Sequence, residues 1–112
     1  MASGAPNLLP RILVTAFGPY GGFAANASWL TLVELTRDLP SHYPVTTRLY
    51  PVDFDLVRQR MEADLAAGPD FVLAMGQAPG AGAIQLEAIG INVAGRPGQL
   101  PDEFEPLAAD GP

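Results

Sequence analysis

The chain has 112 residues, of which 48% are hydrophobic and 16% charged, the composition of one small globular domain rather than of a disordered segment. A net charge of −6, with six arginines and no lysine, argues against a nucleic-acid partner, because nothing gathers the positive charge that phosphate binding needs. The absence of cysteine excludes disulfides, cysteine metal sites and a thiolate nucleophile supplied by this chain, and a single histidine, His42, leaves little for zinc, so no metal and no cofactor is expected.

Residues 1–10 are small residues and proline around Leu8-Leu9, and they read as a flexible arm. They lack the basic start and long apolar core of a secretory signal. No apolar run approaches the length needed to cross a bilayer, so no membrane partner is expected and a soluble, cytoplasmic protein is the default.

The first strand is predicted at Ile12-Leu13-Val14-Thr15, β-branched and apolar. It runs into a glycine-rich loop over 16–22 that holds Phe17 and Tyr20. Its glycines, Gly18, Gly21 and Gly22, lack the spacing of a dinucleotide fingerprint. Asn26 is a suitable cap for a helix over 27–39, with Trp29, Leu32, Val33 and Thr36 on one face and Pro40 as its stop. A second strand is predicted over 45–52. Asp53 then opens a helix over 54–67, with Phe54, Val57, Met61 and Leu65 on one stripe and Gly68-Pro69 ending it.

The unbroken apolar run Phe71-Val72-Leu73-Ala74-Met75 reads as a fully buried strand at the centre of a sheet covered on both faces. It ends in Gly76-Gln77 and a loop carrying Pro79, Gly80 and Gly82. In the segment 84–93 the apolar residues alternate, first Ile84, Leu86 and Ala88, then Ile89, Ile91 and Val93. That pattern predicts one strand bulged near Ala88-Ile89, with a short helix as the alternative. Residues 95–112 are rich in proline, glycine and acid, and read as a long connection or tail.

The order strand, helix, strand, helix, strand defines an α/β fold with a parallel sheet. Such a sheet needs helices on both faces. Two helices cover too little, so a partner chain, a second copy or further sequence is expected to complete it.

Open α/β sheets place ligands just beyond the C-terminal ends of their strands, and the candidate residues cluster there. Glu87 is either a solvated carboxylate or one that orients a histidine in a nucleophile–base–acid relay. Gln77 is either a loop side chain bonded to nearby backbone or an amide that donates to and accepts from a ligand. Phe17 and Tyr20 either pack down their own loop or form an apolar rim around a small flat ligand. Arg96 is either a surface arginine or a contact for a carboxylate or oxyanion. His42 reads as a solvated turn residue. The Gly80-Ala81-Gly82 run weakly suggests a nucleotide site, but the third glycine of that fingerprint is replaced by Gln85.

Taken in order, these segments resemble pyroglutamyl peptidase I, the pyrrolidone-carboxylate peptidase family. The resemblance lies in Leu13-Val14-Thr15-Ala16-Phe17-Gly18-Pro19-Tyr20-Gly21-Gly22, in Asn26-Ala27-Ser28-Trp29, in Pro51 and in Gly76-Gln77-Ala78-Pro79-Gly80. It continues in Glu87 with Ile91-Asn92, in Pro101-Asp102 and in Asp110-Gly111-Pro112. The match runs from Arg11 to the end.

The resemblance implies a three-layer α/β sandwich with a mostly parallel sheet, phosphorylase/hydrolase-like and incomplete here, so that 11–112 form the N-terminal half of a single peptidase domain. It also implies a cytoplasmic thiol peptidase that removes N-terminal pyroglutamate from peptides with a Cys-His-Glu triad. Glu87 would then be the triad glutamate. Gln77 would bond the lactam, Phe17 and Tyr20 would sandwich the ring, and Asn26 would fix the first loop. The family's arginine after the glutamate is Ala88 here, and Arg96, in the stretch that replaces the family's Asp-Ala-Arg-Ile-Pro-Asp run, would be a candidate for that run's arginine. The family's cysteine and histidine lie in the second half. The chain alone is therefore expected to be inactive, and either a complementing half or a homo-oligomer is the expected partner. The alternative is a stand-alone, non-catalytic remnant that pairs with another chain.

Overall fold

A computed structural model of the chain describes residues 9–95 and 98–107. Arg96, the closing Asp110-Gly111-Pro112 and residues 1–8 of the expected arm lie outside the described residues. The chain forms two units, one ending at Pro79 and one beginning at Gly80.

The first unit contains every strand and α-helix assigned among the described residues: β1 (Ile12–Phe17), α1 (Ala27–Arg37), β2 (Val45–Tyr50), α2 (Phe54–Ala66) and β3 (Phe71–Ala74). The strands form a parallel sheet in the order β2-β1-β3. Local chemistry sets the helix ends. Asn26 caps α1 by accepting from Ser28 N, and Asp53 caps α2 by accepting from Leu56 N. Beyond α2, Gly68 adopts φ +76°, and a Cβ there would come within 2.8 Å of Arg11 Nη2. That guanidinium donates to Ala67 O at 2.7 Å, so glycine lets the arginine close over the helix end.

β1, not β3, is the central strand, and Leu13, Val14, Thr15 and Ala16 are its buried residues. The expectation of a buried, central β3 is corrected: it is an edge strand, and Phe71 is 62% exposed. Its apolar run reflects two apolar faces that the described residues leave largely uncovered. On one face Val14, Ala16 and Leu32 of α1 form the core with Ile12, Val45 and Met75. The opposite face carries Leu13, Thr15 and Phe17, in register with Thr46, Arg48 and Tyr50 of β2. Here α2 docks, and it buries no residue completely. Its half-buried positions are Val57, Met61 and Asp64, whereas Phe54 and Leu65 of the expected stripe are exposed.

A polar cluster joins α2 to β2. Tyr50, 1% exposed, donates its hydroxyl to Asp64 Oδ2 at 2.5 Å, and Arg48 Nε donates to Asp64 Oδ1 at 2.9 Å. Burial, helped by the hydrogen bond to Asp64, pushes the Tyr50 phenol up to about 12. The Tyr50 hydroxyl, then Arg48, hold the Asp64 carboxyl below its usual range. The signs follow from linkage. The raised phenol contributes stability that is complete below the ordinary tyrosine value and is lost as pH rises toward about 12. The lowered carboxyl contributes stability above the usual carboxylate range that is lost as pH falls through its folded value. Thermal melts are expected to show the alkaline loss, and Tyr50→Phe is expected to flatten it. Equal alkaline slopes in both proteins would contradict this account.

The second unit contains a 3-10 turn at Pro101–Glu103 and an antiparallel bridge between Ala94 and Glu105. Ala94 is buried, and the Phe104 ring occupies the space a Cβ on Gly95 would fill, at 2.6 Å. The bulged strand expected over 84–93 is not formed, nor is the alternative helix: Ile84 is 94% exposed and Leu86 90%. The alternation in that segment is real, but a strand requires a partner, and none of the described residues offers it one. No helix among the described residues is long and apolar enough to cross a membrane.

Candidate functional site

The candidate site is built where β1 and β3 end. β1 stops at Phe17, and the chain turns through Gly18, whose N–H donates to Tyr50 O at 3.0 Å. A turn closed by Phe23 N on Tyr20 O, at 3.0 Å, brings the Tyr20 and Phe23 rings to a centroid separation of 5.4 Å. The aromatic loop is therefore folded on itself before it meets any other element.

Its anchor is the start of α1. Asn26 is 1% exposed, and its Oδ1 accepts from both Ser28 N (3.0 Å) and Ser28 Oγ (2.6 Å). Ser28 Oγ in turn accepts from Phe17 N at 3.0 Å. The last residue of β1 is thus tied to the helix cap through one buried hydroxyl. Sequence reading had singled out Asn26 but missed Ser28, although its place two residues after the cap is the signal that would have found it.

Gln77 joins from β3. Its side-chain Oε1 accepts from Ala27 N at 2.7 Å, satisfying an otherwise unpaired N–H of the helix start. Its backbone oxygen accepts from the Tyr20 hydroxyl at 3.4 Å. With Oε1 engaged, the amide group that Gln77 has left for a ligand is its NH2, a donor. Phe17, Tyr20 and Asn26, together with the sequence-distant Gln77, gather in one hydrogen-bonded cluster around the start of α1. An aromatic loop and an amide donor at strand ends suit a small, flat ligand with a carbonyl.

Glu87 is exposed and belongs to the second unit, and Arg96 lies outside the described residues. A separate cavity of about 250 Å³ opens at the other end of the sheet, against Arg11, Pro44, Arg48, Asp64 and Pro69. No three metal-ligating side chains of the His, Cys, Asp or Glu type come together among the described residues.

A parallel sheet flanked by α1 and α2, with a polar-aromatic loop cluster at its strand ends, places the chain in the class of open-sheet α/β proteins. Within that class, the family model of pyroglutamyl peptidase matches residues 10–110, and the chain belongs to the pyroglutamyl peptidase family. It is 34% identical over 114 residues to the pyrrolidone-carboxylate peptidase of Streptomyces coelicolor, covering 93% of this chain and 50% of that protein. Over 86 residues it is 37% identical to the one from Brevibacillus brevis, covering 76% of this chain and 40% of that protein. Among solved structures, the pyrrolidone carboxyl peptidase of Fervidobacterium islandicum superposes with a TM-score of 0.80 at 27% identity, over 92% of this chain and 52% of that one. The enzyme from Thermus thermophilus gives 0.75 at 29% identity, over 91% and 55%. The chain spans about half the length of the curated relatives it matches. The family and the fold expected from the sequence, an incomplete α/β sandwich, are both borne out.

Proposed function

We propose that this chain is the pocket-bearing half of a pyroglutamyl peptidase, a cytoplasmic cysteine peptidase that releases N-terminal pyroglutamate from peptides once a second half supplies the cysteine and histidine. The observation that carries the reading is the family match over 10–110 in a chain that has no cysteine and spans about half of its relatives. The exposed, apolar β3 edge supports it, because an edge strand of that kind is a template for further pairing.

In this proposal Phe17 and Tyr20 enclose the pyroglutamyl ring, and the Gln77 NH2 donates to its lactam carbonyl. Asn26 works from inside, fixing the loop through Ser28. Glu87 holds the histidine of the second half in the tautomer that accepts the thiol proton. The thiolate then attacks the pyroglutamyl carbonyl, the histidine protonates the departing amine, and water releases pyroglutamate from the acyl-enzyme. Arg96 is proposed to face the oxyanion or the peptide. A site that hydrogen-bonds a lactam rejects open-chain residues, since its polar groups are then left unpaired.

The test is hydrolysis of a pyroglutamyl coumarin amide. The pure chain is expected to show none. The chain co-expressed with, or fused to, the second half of the Streptomyces coelicolor relative is expected to hydrolyse it and to be inactivated by iodoacetamide. Hydrolysis by the pure chain that resists iodoacetamide would overturn the thiol mechanism. An inactive complex that still binds pyroglutamate would favour the non-catalytic module.

A further inference from the structure

Phe17 is held from two sides. Its backbone N–H is fixed by Ser28 of α1. Its ring meets the Tyr50 ring edge-on, with centroids 6.4 Å apart and planes at 64°. Tyr50 is the register partner of Phe17 on β2, and its carbonyl also takes the N–H of Gly18. Two side chains of α2 meet the Tyr50 hydroxyl: Met61, whose sulfur lies 4.0 Å from it, and Asp64, which accepts its hydrogen bond and whose other oxygen is held by Arg48. Phenylalanine at position 50 would fill the same space and need no carboxylate. A helix with no fully buried side chain is instead tied, through Asp64 and the Met61 sulfur, to the ring that backs the candidate pocket.

We propose that Asp64 and Tyr50 are positioning residues for the pocket: Asp64 orients the Tyr50 ring, and Tyr50 sets the rotamer of Phe17 against a pyroglutamyl ring. The inference rests on the reading of Phe17 as a pocket wall. It makes Asp64, on α2 and outside the loop cluster itself, a determinant of ligand affinity. It also gives a role to an acid that the apolar stripe of α2 does not explain.

The experiment uses the whole chain, with aromatic NMR signals of Phe17 and a titration with L-pyroglutamyl amide. Asp64→Leu removes the acceptor for Tyr50, whereas Asp64→Asn keeps one. Asp64→Leu and Tyr50→Phe are expected to move the Phe17 ring signals and weaken binding about threefold, since both keep a ring at position 50 and lose its orientation, a part of what one aromatic edge contact is worth. Asp64→Asn is expected to recover most of the affinity, which a merely stabilising carboxylate would not predict. Phe17→Ala serves as the control for the pocket itself. Loss of binding in Phe17→Ala, with unchanged Phe17 signals and affinity in folded Tyr50→Phe and Asp64→Leu, would overturn this inference alone. Full binding by Phe17→Ala, or none by the unaltered chain, would overturn the pocket reading and the inference with it. Should Asp64→Leu not fold, Tyr50→Phe decides the matter: a shifted Phe17 ring with weaker binding supports the inference, and an unchanged ring signal or unchanged affinity overturns it.

Discussion

Asn26→Ala is expected to destabilise the chain by about 2–4 kcal/mol, a large share of what a domain of this size possesses. Two losses add. The helix loses its cap, which is typically worth about 1 kcal/mol. The second loss lies in the interior: Asn26 is 1% exposed, and its Oδ1 holds both the backbone N–H and the hydroxyl of Ser28. With that oxygen gone, the buried hydroxyl has no acceptor, at a further cost of about 1–3 kcal/mol. Ser28 also fixes Phe17 N, so the damage reaches the end of β1. Thermal unfolding followed by circular dichroism is expected to show the midpoint falling by roughly 10 °C or more. A midpoint within about 2 °C of the unaltered chain would show that the buried pair is dispensable.

The prominence of Asn26 in the sequence shows what kind of information a single chain reveals. Caps and stops are local: Asn26, Asp53 and Gly68 each act within a few residues, and each ends or begins a helix within about two residues of the predicted place. The order of strands and helices was legible for the same reason. Which strand is central was not legible. The run from Phe71 to Met75 is the most apolar in the chain, yet connectivity gives the middle of the sheet to β1. Apolarity records what a strand is suited to meet, not what is present to meet it. The same distinction separates the alternating segment 84–93, with Ile84 and Leu86 in solvent, from the strand it was expected to form.

The site divides along similar lines. Phe17, Tyr20, Asn26 and Gln77 were visible because a glycine-rich loop, a helix cap and a strand end are recognisable in sequence and because the family pattern joins them. Ser28, Tyr50 and Asp64 were not singled out. Their roles depend on contacts between elements, such as the pairing of Tyr50 with an acid fourteen positions away, which no periodicity reports. Asp64 even displaces Leu65 from the inward side of α2, so the apolar stripe pointed to the neighbouring residue.

Glu87→Gln is expected to separate catalysis from folding. In the isolated chain Glu87 is exposed, so the substitution is expected to change stability by no more than about 0.5 kcal/mol. In the reconstituted enzyme it is expected to lower kcat by about 10³- to 10⁴-fold with little change in KM, the scale seen when a triad acid becomes an amide. The two expectations have a common cause. A solvated carboxylate contributes nothing until a histidine stands beside it. The acid then accepts the imidazole N–H, fixes the tautomer and balances the charge that forms as the thiol proton is taken. Glutamine has nearly the same shape, but its NH2 donates where the acid accepts, and so favours the tautomer that cannot receive that proton. Parallel measurement of unfolding in the chain and turnover in the complex checks both halves of the prediction. A kcat within about tenfold of the unaltered complex would remove Glu87 from the relay. A large loss of stability in the isolated chain would instead assign it a structural role.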